Sequence, residues 1–269
     1  MKLKDLLRIN LDRIGINVSK NLGFTESSEI RKILNYLRPK FYGTPLIRIG
    51  GIRDGGYLIP DDLIGIKGNF SPGCNSEWDF ERHLADSYGI FSHICDTQDK
   101  KPLNLTHMQD FTNKWIGPST EGNFVSLNDF ILSKKYSDDD DLILQMDIEG
   151  AEYIALLATP ESILRRFRII VIEFHSIDTL RNYYAFENIF RPLFRKLESN
   201  FYVAHSHPNN CCGVWNIGKF EFPRVIEVTF HRNDRILEEG KFISTPHNLD
   251  LPCVENQKEI SINWNKLKI

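Results

Sequence analysis

From residue 68 onward, apolar β-branched runs alternate with stretches of helical periodicity. Residues 68–73 predict a strand entering a turn, 76–87 a helix facing inward with Trp78, Phe80, Leu84 and Ala85, and 90–96 a strand ending in Asp96. A further strand is expected near 109–115 and a loop at 117–122. A helix over 130–135 follows, capped by Asn128 or Asp129, and 138–141 is a solvated acidic turn. Strand 142–147, helix 150–158, a short helix started by Pro160 and strand 168–174 come next. The helix 184–199 must bend or break at Pro192. Strand 201–206 leads into a polar loop, 207–213; 214–231 gives two more strands with Phe222-Pro223 between them, and 232–269 is irregular. Strands alternating with helices predict an α/β fold with a mostly parallel sheet, and the closing strands predict an antiparallel finish.

Upstream, residues 1–40 predict one or two helices. Leu3, Leu6 and Leu7 are at helical spacing, as are Ile30, Ile33, Leu34 and Leu37 behind a serine cap, and Pro39 ends the pattern. The glycine-punctuated segment 47–60 predicts a strand, a turn and a short strand. The chain therefore divides into a helical cap (1–45), a core domain (46–232) and a C-terminal extension packed on it (233–269).

Composition narrows the class. The 269 residues carry a net charge of −3, which argues against a nucleic-acid or membrane-surface binder. No apolar run approaches the length of a membrane span, and charges interrupt the N-terminus too often for a signal peptide. Five irregularly spaced cysteines suit reduced thiols better than a disulfide framework, and cytoplasmic residence is the expectation.

The chemistry concentrates at strand ends. Leu142-Ile-Leu-Gln-Met-Asp-Ile-Glu-Gly-Ala-Glu152 and Ile169-Ile-Val-Ile-Glu-Phe-His175 are apolar runs ending in carboxylates and an imidazole. Parallel α/β sheets place ligands beyond the carboxyl ends of their strands. Glu173 and His175, spaced i and i+2, share a face. If the strands are neighbours, Asp147 and Glu173 lie on the order of 5 Å apart, a repulsion that a cation or a charged histidine relieves; the plainer alternative is a hydrogen-bonded Glu173 with Asp147 capping a helix. His205 and His207 repeat the i, i+2 spacing in His205-Ser-His-Pro-Asn-Asn210. Oxygen and imidazole donors together suit Mn, Fe or Zn better than Ca; hydrogen bonding to substrate, or no role, remain open for these two. In 70–81 a small residue at the bend permits close backbone approach to a ligand, without full GxGxxG spacing. About 20 residues further on, Asp96 stands where α/β nucleoside sites bind ribose, or simply caps a turn. Arg53-Asp-Gly-Gly-Tyr57 either brings Arg53 or Tyr57 over a ligand or makes a plain turn.

These pieces resemble the FkbM-type class I S-adenosylmethionine-dependent methyltransferases. The matching elements are Asp54-Gly-Gly-Tyr57, Ser71-Pro-Gly-Cys-Asn75 with Phe80-Glu81, Asp96, Ser126-Leu-Asn-Asp129, Met146-Asp-Ile-Glu-Gly-Ala-Glu152, Ile172-Glu-Phe-His175 and His205-Ser-His-Pro-Asn-Asn210. They span roughly 46–232, and the Asp-Ile-Glu-Gly-Ala-Glu element is the most specific. Pro72 and Cys74 depart from the pattern by standing where more glycine is usual.

The resemblance implies a Rossmann-like class I fold, helices on both sheet faces, and S-adenosyl-L-methionine held by Tyr57, Ser71, Gly73, Asn75, Glu81, Asp96 and Asp147. It implies methylation of a hydroxyl on a sugar, sugar nucleotide or surface glycan, with Asp147, His175 and His207 catalytic. A divalent metal (Mn, Fe or Mg) on Asp147, Glu173 and His207 would activate that hydroxyl; without metal, His175 or His207 is the base. The rivals are a non-catalytic nucleotide-sugar or glycan-binding module and, less favoured by the acidic charge, an RNA methyltransferase. The expected partner is a small sugar-type substrate, with no nucleic acid and with self-association left open.

Overall fold

The computed structural model of the chain describes residues 23–267 apart from 53, 75–77 and 102–103. The expected N-terminal pattern of Leu3, Leu6 and Leu7, together with Arg53 and Asn75, lies outside the described residues. The central sheet has seven strands: β1 (Gly68–Pro72), β2 (Phe91–Asp96), β3 (Gln109–Asn113), β4 (Leu142–Met146), β5 (Phe167–Phe174), β6 (Phe201–Pro208) and β7 (Ile226–Arg232). Their spatial order is 3-2-1-4-5-7-6. Pairings β3–β2, β2–β1, β1–β4 and β4–β5 are parallel, and β7 runs antiparallel to both β5 and β6. The expected mostly parallel sheet with an antiparallel finish is what forms. Chain order reverses between β1 and β4, and that switch point is where an open α/β sheet leaves a crevice for a ligand.

Period-2 alternation sorts each strand between two cores. Leu142, Leu144, Met146, Ile170, Ile172 and Phe174 join one apolar cluster, under the helices Ser27–Tyr36, Leu127–Leu132, Glu152–Ala158 and Arg191–Asn200. Ile143, Ile169 and Val171 point the other way, against the helix Asp79–Tyr88 and the antiparallel hairpin Leu46–Gly50/Gly56–Pro60. Polar Gln145 and Glu173 share this second face by register, and their partners decide the site below.

Several local expectations change. The Leu127–Leu132 helix is capped by Ser126, whose side chain accepts from Asp129 N at 3.1 Å, rather than by Asn128 or Asp129. The strain at Pro192 is absorbed upstream by a π-helical stretch, Phe186–Phe190, that joins Arg191–Asn200 without a break. Three strands occupy 214–231 instead of two, because Gly218 (φ +62°) closes a tight hairpin between Val214–Ile217 and Phe220–Pro223. Phe222-Pro223 thus lies inside a strand. Of the acidic run 138–141, Asp141 is not a solvated turn residue: it binds Arg168 (2.5 Å) and Arg232 (2.7 Å). Cys211 and Cys212 are joined in a disulfide, whereas Cys74, Cys95 and Cys253 are buried thiols. Being sequence neighbours, the bonded pair ties no distant segments together.

Asp62 fastens the hairpin to β5 and β7. Its carboxylate accepts from His231 Nε2 (2.9 Å), Arg235 Nε (2.7 Å) and Arg168 Nη1 (3.2 Å). Burial alone would raise its pKa, but these partners hold it far below the usual carboxylate range. A depressed folded pKa contributes stability above the unfolded value of about 3.9 and loses it as pH falls toward the folded value. Asp62→Asn is expected to lower unfolding free energy by about 2 kcal/mol at pH 7. In urea titrations at a series of pH values, the gap from wild type should shrink below about pH 4.

Candidate active site

The β1–β4 junction is closed by a contact only glycine permits. Gly73 adopts φ +81°, and a Cβ there would lie 1.6 Å from the Asp147 carbonyl oxygen. Asp147 N donates to Pro72 O (3.1 Å) and Gly73 N to Cys95 O (3.0 Å), so three strand ends meet at this turn. Asp96, at the end of β2, accepts from Cys74 N (3.1 Å) and Thr97 N (2.7 Å). These bonds fix its carboxylate at the mouth and leave each oxygen a further acceptor position.

A cleft of about 500 Å³ opens here, lined by Gly73, Asp96 and Thr97, by the apolar Trp115, Ile116 and Phe124, and by Asp147 and Glu149. Trp115 and Phe124 come from the short parallel pair Trp115–Gly117/Phe124–Ser126, with ring centroids 5.6 Å apart. They remain 50% and 43% exposed, an apolar surface beside a carboxylate floor. The volume is in the range of small-molecule and cofactor sites.

Beneath the cleft lies a buried polar chain. Ser71 Oγ donates to Gln145 Oε1 (2.6 Å) and is hydrogen-bonded to Glu81, while Gln145 Nε2 donates to the Tyr57 hydroxyl (3.3 Å). Burial pushes the Glu81 carboxyl up to about 7, so near neutrality it can itself donate to Ser71. Burial, then the carboxylates of Asp147, Glu173, Glu227 and Asp54, drives the Tyr57 phenol well above its ordinary range. Tyr57, Ser71 and Glu81 therefore brace the turn from below. Of the residues expected at the cofactor, Gly73, Asp96 and Asp147 line the cleft itself.

Beside Asp147 the chain makes an unusual turn. Glu149 has φ +56° and Gly150 φ +105°, and Ser176, just after His175, has φ +50°. Glu149 and Ser176 are the non-glycine residues of positive φ among the described residues, and such strain gathers at functional sites. The turn is held by Glu152, fully buried, which accepts from Gly150 N (2.8 Å), His175 N (2.6 Å) and His175 Nδ1 (3.2 Å). That leaves His175 Nε2 facing Asp147 (3.7 Å) and Glu149 (3.5 Å). Burial disfavours the imidazolium, but Glu152, Asp147 and Glu149 outweigh it and raise the His175 pKa. Burial raises the Asp147 carboxyl to about 7 against the pull of His175, aided by Asp54, Glu149 and Glu152. One Asp147 oxygen, Oδ1, is buried without a hydrogen-bond partner. The donor atoms of Asp147, Glu149 and His175 lie within 4.8 Å of one another.

The other expected residues form a row across the sheet. Ile172 pairs with Met146, which places Glu173 beside Asp147; Glu173 pairs with Glu227, and Glu227 with His207. At about 4.8 Å per strand, His207 stands about 14 Å from Asp147, so these two side chains do not meet on one ion. Glu173 accepts from Asn209 Nδ2 (2.6 Å), and burial with Asp147, Glu227 and Asp54 raises its pKa. His207 meets Glu227 and Cys253 instead. Its place also differs from expectation: β6 runs to Pro208, so His205 and His207 are strand residues, not loop residues.

Sequence reasoning did not single out Gln145, Glu227, Trp115 or Phe124, and it quoted Glu152 within its most specific motif without giving it a role. Gln145 carried a signal, since one amide inside an otherwise apolar buried strand must have a buried partner.

A strand order of 3-2-1-4-5-7-6, with a glycine turn, an acid after β2 and a cleft at the switch point, is the arrangement of the class I methyltransferase fold. Residues 121–204 match the family model of the methyltransferase FkbM domain. No curated protein matches the chain. Among solved structures, the complex between the Haloferax volcanii Trm112 methyltransferase activator and a candidate methyltransferase contains a chain similar to this one. It is 14% identical, the match covers 83% of this chain and 96% of that one, and the TM-score is 0.35. No helix among the described residues is long and apolar enough to cross a membrane.

Proposed function

We propose that this methyltransferase acts on a hydroxyl group of a sugar, sugar nucleotide or surface glycan. The observation that supports this most is the run of groups along one cleft: Gly73 and Asp96, an apolar wall, then Asp147 and Glu149 with His175 behind them. S-adenosylmethionine, when bound, supplies an electron-poor methyl on a sulfonium. Gly73 lets its strand end lie close against the methionine part, Asp96 accepts from the ribose hydroxyls, and Trp115, Ile116 and Phe124 offer an apolar wall to the base. Asp147 and Glu149 hydrogen-bond neighbouring hydroxyls of the acceptor, for which carboxylates suit a polyol. His175 Nε2 takes the proton of the reacting hydroxyl, with Glu152 fixing the ring through Nδ1. Asp147, Glu149 and His175 also fit a divalent cation such as Mn, Fe or Mg, because their donor atoms cluster and Asp147 Oδ1 is buried without a hydrogen bond.

The test is release of S-adenosylhomocysteine from a panel of glycans, sugar nucleotides and RNA, with and without a strong chelator. Turnover confined to RNA would overturn the proposed acceptor, and full activity in chelator would remove the cation. For the cofactor end, Asp96→Ala is expected to weaken S-adenosylhomocysteine binding about 30-fold in calorimetry, the loss of about 2 kcal/mol of charge-assisted hydrogen bonds. An unchanged Kd would displace the ribose from Asp96.

A further inference from the structure

We propose that His207, Glu227 and Cys253 form a second site, separate from methyl transfer, that binds one zinc-type transition-metal ion and fastens the C-terminal segment to the sheet. Three chain regions build it. On β6, Phe201 and Val203 face the helix-covered core, and strict alternation would send His205 and His207 there too. A register shift between Val203 and His205 inverts the face. His205 then pairs with Thr229 and His207 with Glu227, while Ser206 takes the core side and donates to Leu37 O (2.6 Å). Cys253 arrives from the extension, which is held in place by Asn210. That side chain donates to Val254 O (2.9 Å) and Gln257 O (3.1 Å) and accepts from Val254 N (2.8 Å). Asp250, 3.0 Å from His205 Nε2, adds a second fastening.

The donor spacing is that of a coordination shell. His207 Nδ1 is 3.2 Å from Glu227 Oε2, Cys253 Sγ is 3.1 Å from Glu227 Oε1, and Sγ is 3.8 Å from Nδ1. Tetrahedral zinc, with bonds of about 2.0 Å to N or O and about 2.3 Å to S, requires edges of about 3.3–3.6 Å between ligand atoms. The Nδ1–Oε2 and Nδ1–Sγ edges are within a few tenths of an ångström of these; Sγ lies against the other carboxylate oxygen, Oε1, so Glu227 would bind through both oxygens or turn slightly. Thiolate, imidazole and carboxylate together favour zinc or a similar ion over magnesium or calcium.

Two further observations point to a cation. His207 is 4% exposed, and its Nε2 is buried without a hydrogen-bond partner while facing Glu259 at 3.8 Å. A carboxylate behind the second ring nitrogen is how metal-bound histidines are oriented. Glu227 and Glu173 are 6% and 3% exposed, and among the described residues neither has a Lys or Arg ion-pair partner. Buried carboxylates without a cation are costly. Metal binding would release the Cys253 thiol proton to solvent and leave a fourth coordination position for water.

The experiment uses the full chain, purified without added metal, and measures metal content by mass spectrometry after dialysis. About one equivalent is expected in wild type, less than about a tenth of that in Cys253→Ser and His207→Gln, and wild-type content in His175→Gln. Glu259→Gln should weaken affinity about 10-fold. Independently of any variant's folding, cobalt added to metal-stripped wild type should give a thiolate-to-cobalt charge-transfer band. Absence of that band overturns the proposal. So does metal that stays in Cys253→Ser but leaves with His175→Gln, which would put the ion at the acceptor end of the cleft.

Discussion

Replacing His175 with glutamine should lower kcat by about 10³-fold while leaving cofactor affinity within about twofold of wild type. Glutamine keeps a polar side chain of similar reach but cannot hold a proton at neutral pH. The backbone N–H of His175 still donates to Glu152, so the turn that carries Glu149 survives. The pH profile separates loss of a base from general damage. The working form is the neutral ring, and its pKa is raised above 6.5 by Glu152, Asp147 and Glu149 acting against burial. Activity should therefore climb with pH through and above neutrality. Asp147 titrates near 7 and interacts with the ring, so the limb belongs to the pair. In His175→Gln that limb should vanish. Steady-state kinetics showing near-normal turnover in the variant, or an unchanged limb, would remove His175 from the chemistry.

Gly73→Ala should abolish measurable cofactor binding, a loss of more than about 100-fold, and lower the melting temperature. Two costs combine. An alanine at φ +81° carries about 1–2 kcal/mol of backbone strain. The larger cost is steric: the new methyl would overlap the Asp147 carbonyl and force apart β1 and β4, which Asp147 N joins through Pro72 O. Gly122→Ala is the matched control, for its φ is +56° and nothing lies within 4 Å of the added carbon. Calorimetry with S-adenosylhomocysteine should find the control unaffected. Equal losses in both variants would show that strain, not the strand-end contact, is the cause.

Much of this was legible in the chain. The alternation of periods gave the sheet and its antiparallel finish because central runs such as β4 and β5 are apolar enough to be buried on both faces. The strand ends also pointed to Asp147 and His175, and the fold brings these two side chains within 3.7 Å of each other. What stayed hidden depended on pairing across the sheet. Glu227 reads as an ordinary polar strand residue until β7 is inserted between β5 and β6, where it separates His207 from Glu173. Glu152 reads as a favourable acid in a first helical turn, and only the fold shows it closed off from water and bonded to the next strand. Cys253 carried no local pattern, because it reaches the sheet through an irregular segment.

The bulge in β6 makes side-chain direction a matter of odd and even counting. Deleting Ala204 would restore uninterrupted alternation without moving either imidazole, because His205 would follow Val203 directly and Ser206 would keep the core side. One codon lost there would therefore cost the strand its bulge and spare its chemistry. Flattening the bulge with Ala204 kept in place is what would turn both imidazoles toward the aliphatic interior.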